Sequence, residues 1–132
     1  MEMLVIRLMR KISLAAPAVP QFTTGNRQCA MIKHYIDQHF KEALSLEQLA
    51  EKAHMNKYYL VHTFKEEYGV SPISYMISRR IVESKYLLAE TNLSLSQIAQ
   101  LLGFSSPSYF SQAFRKAQGI SPMDYRKNAR GL

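Results

Sequence analysis

The feature that most constrains the fold of this chain is an internal repeat in its C-terminal two-thirds. Residues 44–50, LSLEQLA, return as residues 93–99, LSLSQIA. Further matches follow in the same order, from Tyr59, Phe64, Gly69, Ser71, Pro72 and Tyr75 to Tyr109, Phe114, Gly119, Ser121, Pro122 and Tyr125. The offset changes from 49 to 50 residues, which places one inserted residue around 105–108. Two copies are too few for a solenoid, which needs about three units, so the repeat predicts a pair of equivalent sites.

Each copy carries the start and stop signals of two successive helices. Ser45 with Gln48 predicts a capping box, and Ser94 with Gln97 predicts the same box in the second copy. Each copy then has a glycine suited to a left-handed helix end and a capping serine followed by proline. These signals predict helix pairs at 46–53 and 57–68, and at 95–102 and 106 or 107–118.

Two helices joined by a tight turn match a helix-turn-helix, whose second helix enters the DNA major groove. The predicted cores are Leu49, Ala50, Leu60 and Phe64, and Ile98, Ala99, Phe110 and Phe114. Opposite each core runs a stripe spaced i, i+3, i+4 and i+7. The side chains expected to read base edges are Tyr58, Val61, His62, Ser108, Ser111 and Gln112. Those expected to bind phosphates are Lys57, Lys65, Arg115 and Lys116. An ordinary solvated helix face is the alternative.

We place the two helix-turn-helix units at about 45–68 and 94–118. The sequence from residue 71 to about 91 predicts one long helix that connects them. Such a helix is roughly 30 Å long, close to the roughly 34 Å of one DNA turn. It could therefore hold two recognition helices in successive major grooves. Because the copies run head to tail with different outward faces, the expected DNA site is asymmetric. No segment predicts a strand, so the expected fold is all-α with seven helices.

Composition limits the partners and the chemistry. The formal net charge of +7 favours nucleic acid or an acidic membrane as a partner. Cys29 is the only cysteine, which excludes an internal disulfide and indicates a reducing compartment with a buried or inert thiol. His34 and His39 face different sides of a helix, and no cluster has metal-ligand spacing. We therefore expect no metal, no cofactor and no catalysis. No stretch approaches the roughly 18 apolar residues of a membrane span.

Residues 1–27 precede the repeated region. Arg7, Arg10 and Lys11 share one face of a short helix predicted at 2–12. That helix could lie on a membrane surface, although packing on a partner surface is favoured. Residues 13–27 contain two prolines, a glycine and several small polar residues, which predict a linker. From Arg27 onward an apolar stripe predicts a helix of about 13 residues; its members are Met31, Ile32, Tyr35, Ile36 and Phe40.

The repeated region resembles the DNA-binding domain of AraC/XylS-type transcription regulators over about residues 28–128, within a domain placed at 28–132. The motifs that carry the resemblance are Ile98-Ala99, Gly103-Phe104-Ser105, Ser108-Tyr109-Phe110, Phe114-Arg115-Lys116, Gly119, Ser121-Pro122 and Tyr125-Arg126, with Arg80-Ile81 and Leu87-Leu88 in the connecting helix. The resemblance implies a bacterial, cytoplasmic, promoter-binding regulator, often an activator that contacts RNA polymerase. Three residues depart from the family's pattern. Gln112 stands where many members have arginine, Ser84 stands where alanine is usual, and Val61 stands where relatives often have a polar residue. The first recognition helix is therefore expected to read fewer bases.

Two questions stay open at the level of sequence. Residues 1–27 resemble the last helix and linker of an effector-binding or dimerisation domain, so a small-molecule effector is expected only if such a domain precedes them. A truncated chain and a small stand-alone family member both fit. The alternative function is a helical protein-interaction module that has kept the fold and lost DNA binding.

Overall fold

The computed structural model describes residues 24–131, which form seven helices with no strand among them. In chain order these are α1 (Thr24–His39), α2 (Leu46–Ala53), α3 (Lys57–Tyr68), α4 (Pro72–Glu90), α5 (Leu95–Leu102), α6 (Pro107–Gln118) and α7 (Pro122–Ala129). The predicted all-α class with two helical pairs and a long connecting helix is confirmed. The helix predicted at 2–12 and most of the linker predicted at 13–27 lie outside the described residues.

The first helix differs from its prediction in two respects. It begins at Thr24 and has 16 residues, so assigning residues 24–27 to a linker was wrong. Helix breakers are tolerated there because the first N–H groups of a helix have no intrahelical acceptor. Met31 is 46% exposed and does not belong to the buried stripe. Cys29 is buried instead. Cys29, Ile32 and Ile36 are spaced by three and four residues, so they lie on the one face of α1 that packs in the core.

The predicted caps are present at both copies of the repeat. The Gln48 backbone N–H donates to Ser45 Oγ over 3.1 Å, and the Ser45 N–H donates to Gln48 Oε1 over 2.9 Å. In the second copy the Gln97 N–H donates to Ser94 Oγ over 3.1 Å, and the Ser94 N–H donates to Gln97 Oε1 over 2.8 Å. A capping side chain of this kind stabilises a helix by about 1 kcal/mol. The second helices, α3 and α6, both end at a left-handed glycine.

The turns locate the inserted residue. The Met55 N–H donates to Ala50 O, and the Phe104 N–H donates to Ala99 O, both over 2.9 Å, so these two residues are equivalent. Asn56 immediately follows Met55 and caps α3, whereas α6 is capped by Ser106. The additional residue in the second copy is therefore Ser105, inside the predicted interval.

The structural repeat contains four helices and the copies overlap at α4. Helix α1 packs on α2, α3 and α4, and α4 in turn packs on α5, α6 and α7. Met76 of α4 belongs to the first core, while Ile81 and Leu88 of the same helix belong to the second. The predicted core residues of both units are buried. Ser84 is also fully buried, and its hydroxyl donates to Ile81 O over 2.7 Å, which satisfies this buried polar group.

Two arginines bind the ends of helices in equivalent ways. Arg80 donates from Nε to Phe40 O over 2.6 Å and from Nη2 to Glu42 O over 2.8 Å, just after the end of α1. Arg130, fifty residues later, donates from Nε to Ala89 O and from Nη2 to Thr91 O at the end of α4. Carbonyls at and just beyond a helix end have no intrahelical donor, so these guanidinium groups satisfy them. Burial lowers the pKa of Arg80.

Candidate nucleic-acid interface

The second helix of the first helix-turn-helix, α3, has a buried side and an exposed side. Leu60 and Phe64 are fully buried. Tyr58 is 78% exposed, His62 and Lys65 are exposed, and Val61 is half-buried. Asn56 Oδ1 accepts hydrogen bonds from the first backbone N–H groups of α3, which fixes the point where the helix starts. The side chains predicted to read bases therefore share one side of α3.

The corresponding helix of the second helix-turn-helix, α6, repeats this arrangement with different side chains. Its buried side is formed by aromatic rings: Phe110 lies 5.2 Å from Phe104 and 6.0 Å from Phe114, measured between ring centroids. Aromatic pairs at these distances stabilise the core beneath α6. The predicted reading and phosphate-binding residues lie on the other side, with Ser108, Gln112, Arg115 and Lys116 exposed and Ser111 half-buried.

The exposed groups suit different parts of a DNA duplex. Gln112 can donate and accept at once, as a bidentate contact to adenine requires. The serine hydroxyls can donate or accept, and the apolar surface of Tyr58 and Val61 can pack on a thymine methyl group. Arg115 and Lys116 supply positive charge in the last turn of α6. Contact of these residues with DNA stays a prediction.

The electrostatics distinguish Lys57 from the other predicted phosphate ligands. Lys57 Nζ lies 2.9 Å from Glu47 Oε2, which joins the start of α3 to the first turn of α2. The hydrogen bond from Lys57 lowers the pKa of Glu47, and the same bond raises the pKa of Lys57. Within residues 24–131, Lys65, Arg115 and Lys116 form no ion pair.

A second polar network joins the first unit to the connecting helix. Tyr75 on α4 donates its hydroxyl to Asp37 on α1, and Arg79 Nη1 lies 3.4 Å from the same carboxylate. Burial, followed by the hydrogen bond to Asp37, raises the pKa of Tyr75 to about 12. Lys33 lies 5.1 Å from the centroid of the Tyr75 ring. These contacts orient α4 relative to the unit that carries α3.

Sequence reasoning missed the residues that position the second unit. The Arg80 guanidinium carbon lies 5.4 Å from the Phe104 ring centroid, in the turn before α6. A Cβ at Gly103 would lie 2.4 Å from Lys41 O and 2.9 Å from Arg80 Nη2. Arg80 therefore contacts both units at once. The repeat offered a signal for this role, because Arg80 recurs fifty residues later as Arg130.

Two further findings concern the described part of the chain alone. No helix between residues 24 and 131 is long and apolar enough to cross a bilayer. No group of three or more histidine, cysteine, aspartate or glutamate side chains in that range is placed to hold a metal ion.

Fold and exposed faces together define a protein with two helix-turn-helix units, and known proteins show the same pattern. A family model described as a helix-turn-helix domain matches residues 49–128, more than half of the chain. An uncharacterized HTH-type transcriptional regulator of Escherichia coli K12, YdiP, is 38% identical over 96 residues, which cover 73% of this chain and 32% of that protein. The chain spans about a third of the length of curated relatives such as this one.

Two solved structures are similar as well. The C-terminal domain of AraT, a response regulator from Geobacillus stearothermophilus, is 35% identical with a TM-score of 0.72, covering 76% of this chain and 84% of that one. The DNA-binding domain of the transcriptional factor AdpA, solved with a target DNA, is 28% identical with a TM-score of 0.73, covering 78% of this chain and 93% of that one. The chain belongs to the AraC/XylS family of transcriptional regulators and contains that family's helix-turn-helix DNA-binding domain.

Proposed function

We propose that the chain binds double-stranded promoter DNA in a sequence-specific manner, with α3 and α6 entering successive major grooves. The observation that carries this proposal is the pair of exposed faces on α3 and α6, each opposite a core of the same design. Helix α4 has 19 residues and is therefore about 28 Å long, close to one turn of DNA. The complex of the AdpA domain with its target DNA supports DNA as the ligand.

In this proposal the exposed residues divide into two groups. The base-reading group is Tyr58, Val61, His62, Ser108, Ser111 and Gln112. The phosphate-binding group is Lys57, Lys65, Arg115 and Lys116. Base contacts determine sequence preference, whereas phosphate contacts provide affinity without preference. The apolar character of the Val61 side chain, where α6 has the hydroxyl of Ser111, supports fewer base contacts from α3 than from α6.

The proposed role of the whole protein is regulation rather than catalysis, in the bacterial cytoplasm. Activation through contact with RNA polymerase is proposed from the family resemblance. A small-molecule effector would require an additional domain, and the DNA-binding unit itself is proposed to need no cofactor.

Selection of bound sequences from a random DNA pool tests the proposal. We expect an asymmetric, split motif whose half-sites lie about ten base pairs apart. Affinity for that motif should exceed affinity for scrambled DNA by about a thousandfold or more at physiological salt. Equal affinity for the two DNAs would refute sequence-specific binding. No binding even at low salt would instead favour the protein-interaction module.

Two substitutions on α6 separate the proposed roles. Lys116→Ala should weaken binding to all DNA similarly and reduce the salt slope by about one. Gln112→Ala should relax preference at one base pair, at a loss of about 1–3 kcal/mol for the preferred base. Both effects are read from binding isotherms on the selected site and its single-base variants. If both variants behaved alike, the assignment of the two groups would be wrong.

A further inference from the structure

The two helix-turn-helix units carry unequal charge. Residues 45–68 contain four glutamates and three lysines, whereas residues 94–118 contain Arg115, Lys116 and no acidic residue. The first unit thus has a formal charge of −1 and the second a formal charge of +2. Attraction to the phosphate backbone supplies most of the sequence-independent affinity for DNA. The scaffold is repeated, but its electrostatic attraction to DNA is not.

One ion pair of the first unit adds nothing to this net difference, because its charges cancel, but it occupies the lysine at the start of α3. Glu47 lies in the first turn of α2 and Lys57 is the first residue of α3, and their charged atoms are 2.9 Å apart. Their side chains are 68% and 42% exposed, so the pair lies at the surface. The equivalent residues of the second unit are Ser96 and Pro107, which cannot form such a pair.

At this location the Glu47 carboxylate would compete with a DNA phosphate for Lys57. In a helix-turn-helix the first helix crosses the phosphate backbone while the start of the second approaches the base edges. A phosphate that approaches Lys57 would therefore also approach the Glu47 carboxylate. To bind Lys57 it must displace that carboxylate, whereas the exposed Ser96 hydroxyl could donate to a phosphate without competition.

We propose that Glu47 weakens the binding of the first helix-turn-helix by occupying Lys57, so that the second unit anchors the chain and the first adds a weaker, selective contact. This inference rests on the proposed DNA-binding function. Glu47 is then a determinant of DNA affinity that need not touch DNA itself. Scrambling the half-site under the first unit should therefore reduce affinity less than scrambling the half-site under the second.

The variant Glu47→Gln tests the inference because it removes the charge and keeps the shape. Freed Lys57 should neutralise one more phosphate, so the salt slope should steepen by about 0.9. The gain in affinity should then be about 3.5-fold larger at 50 mM than at 200 mM salt, because one additional counterion is released. Lys57→Gln should remove this gain in the Glu47→Gln background and have a smaller effect alone. Fluorescence anisotropy on the selected site measures all four proteins.

Two further variants serve as matched controls. Glu51→Gln makes the same charge change on α2 at a residue that forms no ion pair within residues 24–131, so it should leave the salt slope unchanged. Ser96→Glu introduces a carboxylate without a lysine partner and should weaken binding.

Three outcomes would count against the inference, and they are distinguishable. Weaker binding by Glu47→Gln would show that the carboxylate positions Lys57, and an effect equal to that of Glu51→Gln would show only a general charge effect. Either result overturns the inference and leaves the proposed function intact. A wild-type chain without preference for any site would overturn both.

Discussion

Replacing Arg80 with lysine should destabilise the domain although the positive charge is retained. The Arg80 side chain is 4% exposed and donates to two carbonyl oxygens beyond the end of α1, at 2.6 and 2.8 Å. A lysine ammonium is a compact group and cannot reproduce the fork that spans both oxygens. A hydrogen bond from a charged group contributes about 1.5–3 kcal/mol, and an orphaned buried carbonyl costs a further 1–3 kcal/mol, roughly. Allowing for partial relaxation, we expect a loss of about 2–4 kcal/mol.

Urea unfolding followed by far-UV circular dichroism measures this loss, which is a large fraction of the roughly 5–15 kcal/mol typical of a domain. Arg115→Lys is the matched control, because Arg115 is exposed and should change stability by no more than about 0.5 kcal/mol. Arg130→Lys tests the second copy and should cost less than Arg80→Lys, since Arg130 is only half-buried. A loss at Arg80 below about 0.5 kcal/mol would refute the role assigned to its two hydrogen bonds.

Three other predictions concern single positions. His54 has a φ of 56°, so His54→Gly should stabilise the domain by about 1 kcal/mol, measured as a raised midpoint in urea; a lowered midpoint would contradict this. Gly103→Ala should destabilise the domain by several kcal/mol more than Gly119→Ala. A Cβ at Gly103 would lie 2.4 Å from Lys41 O, whereas nothing lies within 4 Å of a Cβ at Gly119. Equal melting temperatures of the two variants would contradict this. Burial raises the pKa of Cys29 to about 11, so little thiolate forms at neutral pH. Alkylation of Cys29 should therefore be slow in the native chain and fast in denaturant. Equal alkylation rates in the two conditions would contradict the burial of Cys29.

The sequence predicted local structure accurately where short-range signals determine it. The boundaries of α2, α3 and α5 matched because capping boxes and left-handed ends depend on residues three or four apart. The start of α1 did not match, since Gly25 and Asn26 resemble loop residues but lie in a first helical turn. Met31 was misplaced because several side chains of α1 are apolar, and only packing decides which of them is buried.

Long-range polar contacts could not be predicted in the same way. Arg80 binds backbone oxygens about forty residues away, and no spacing rule links an arginine to a carbonyl group at that distance. Lys57 was predicted to bind phosphate from its charge and place on the helix. Its ion pair with Glu47 depends on how α2 and α3 cross, which the sequence pattern does not specify.

The overlap of the two units at α4 has a consequence for how the domain can be divided. Met76 and Arg80 complete the first unit, while Leu88 and the end of the same helix complete the second. A cleavage anywhere in the middle of α4 would thus open both cores, and neither half would keep a full set of helices. The two helix-turn-helix units are therefore expected to unfold in one cooperative transition, and neither is expected to fold without the other.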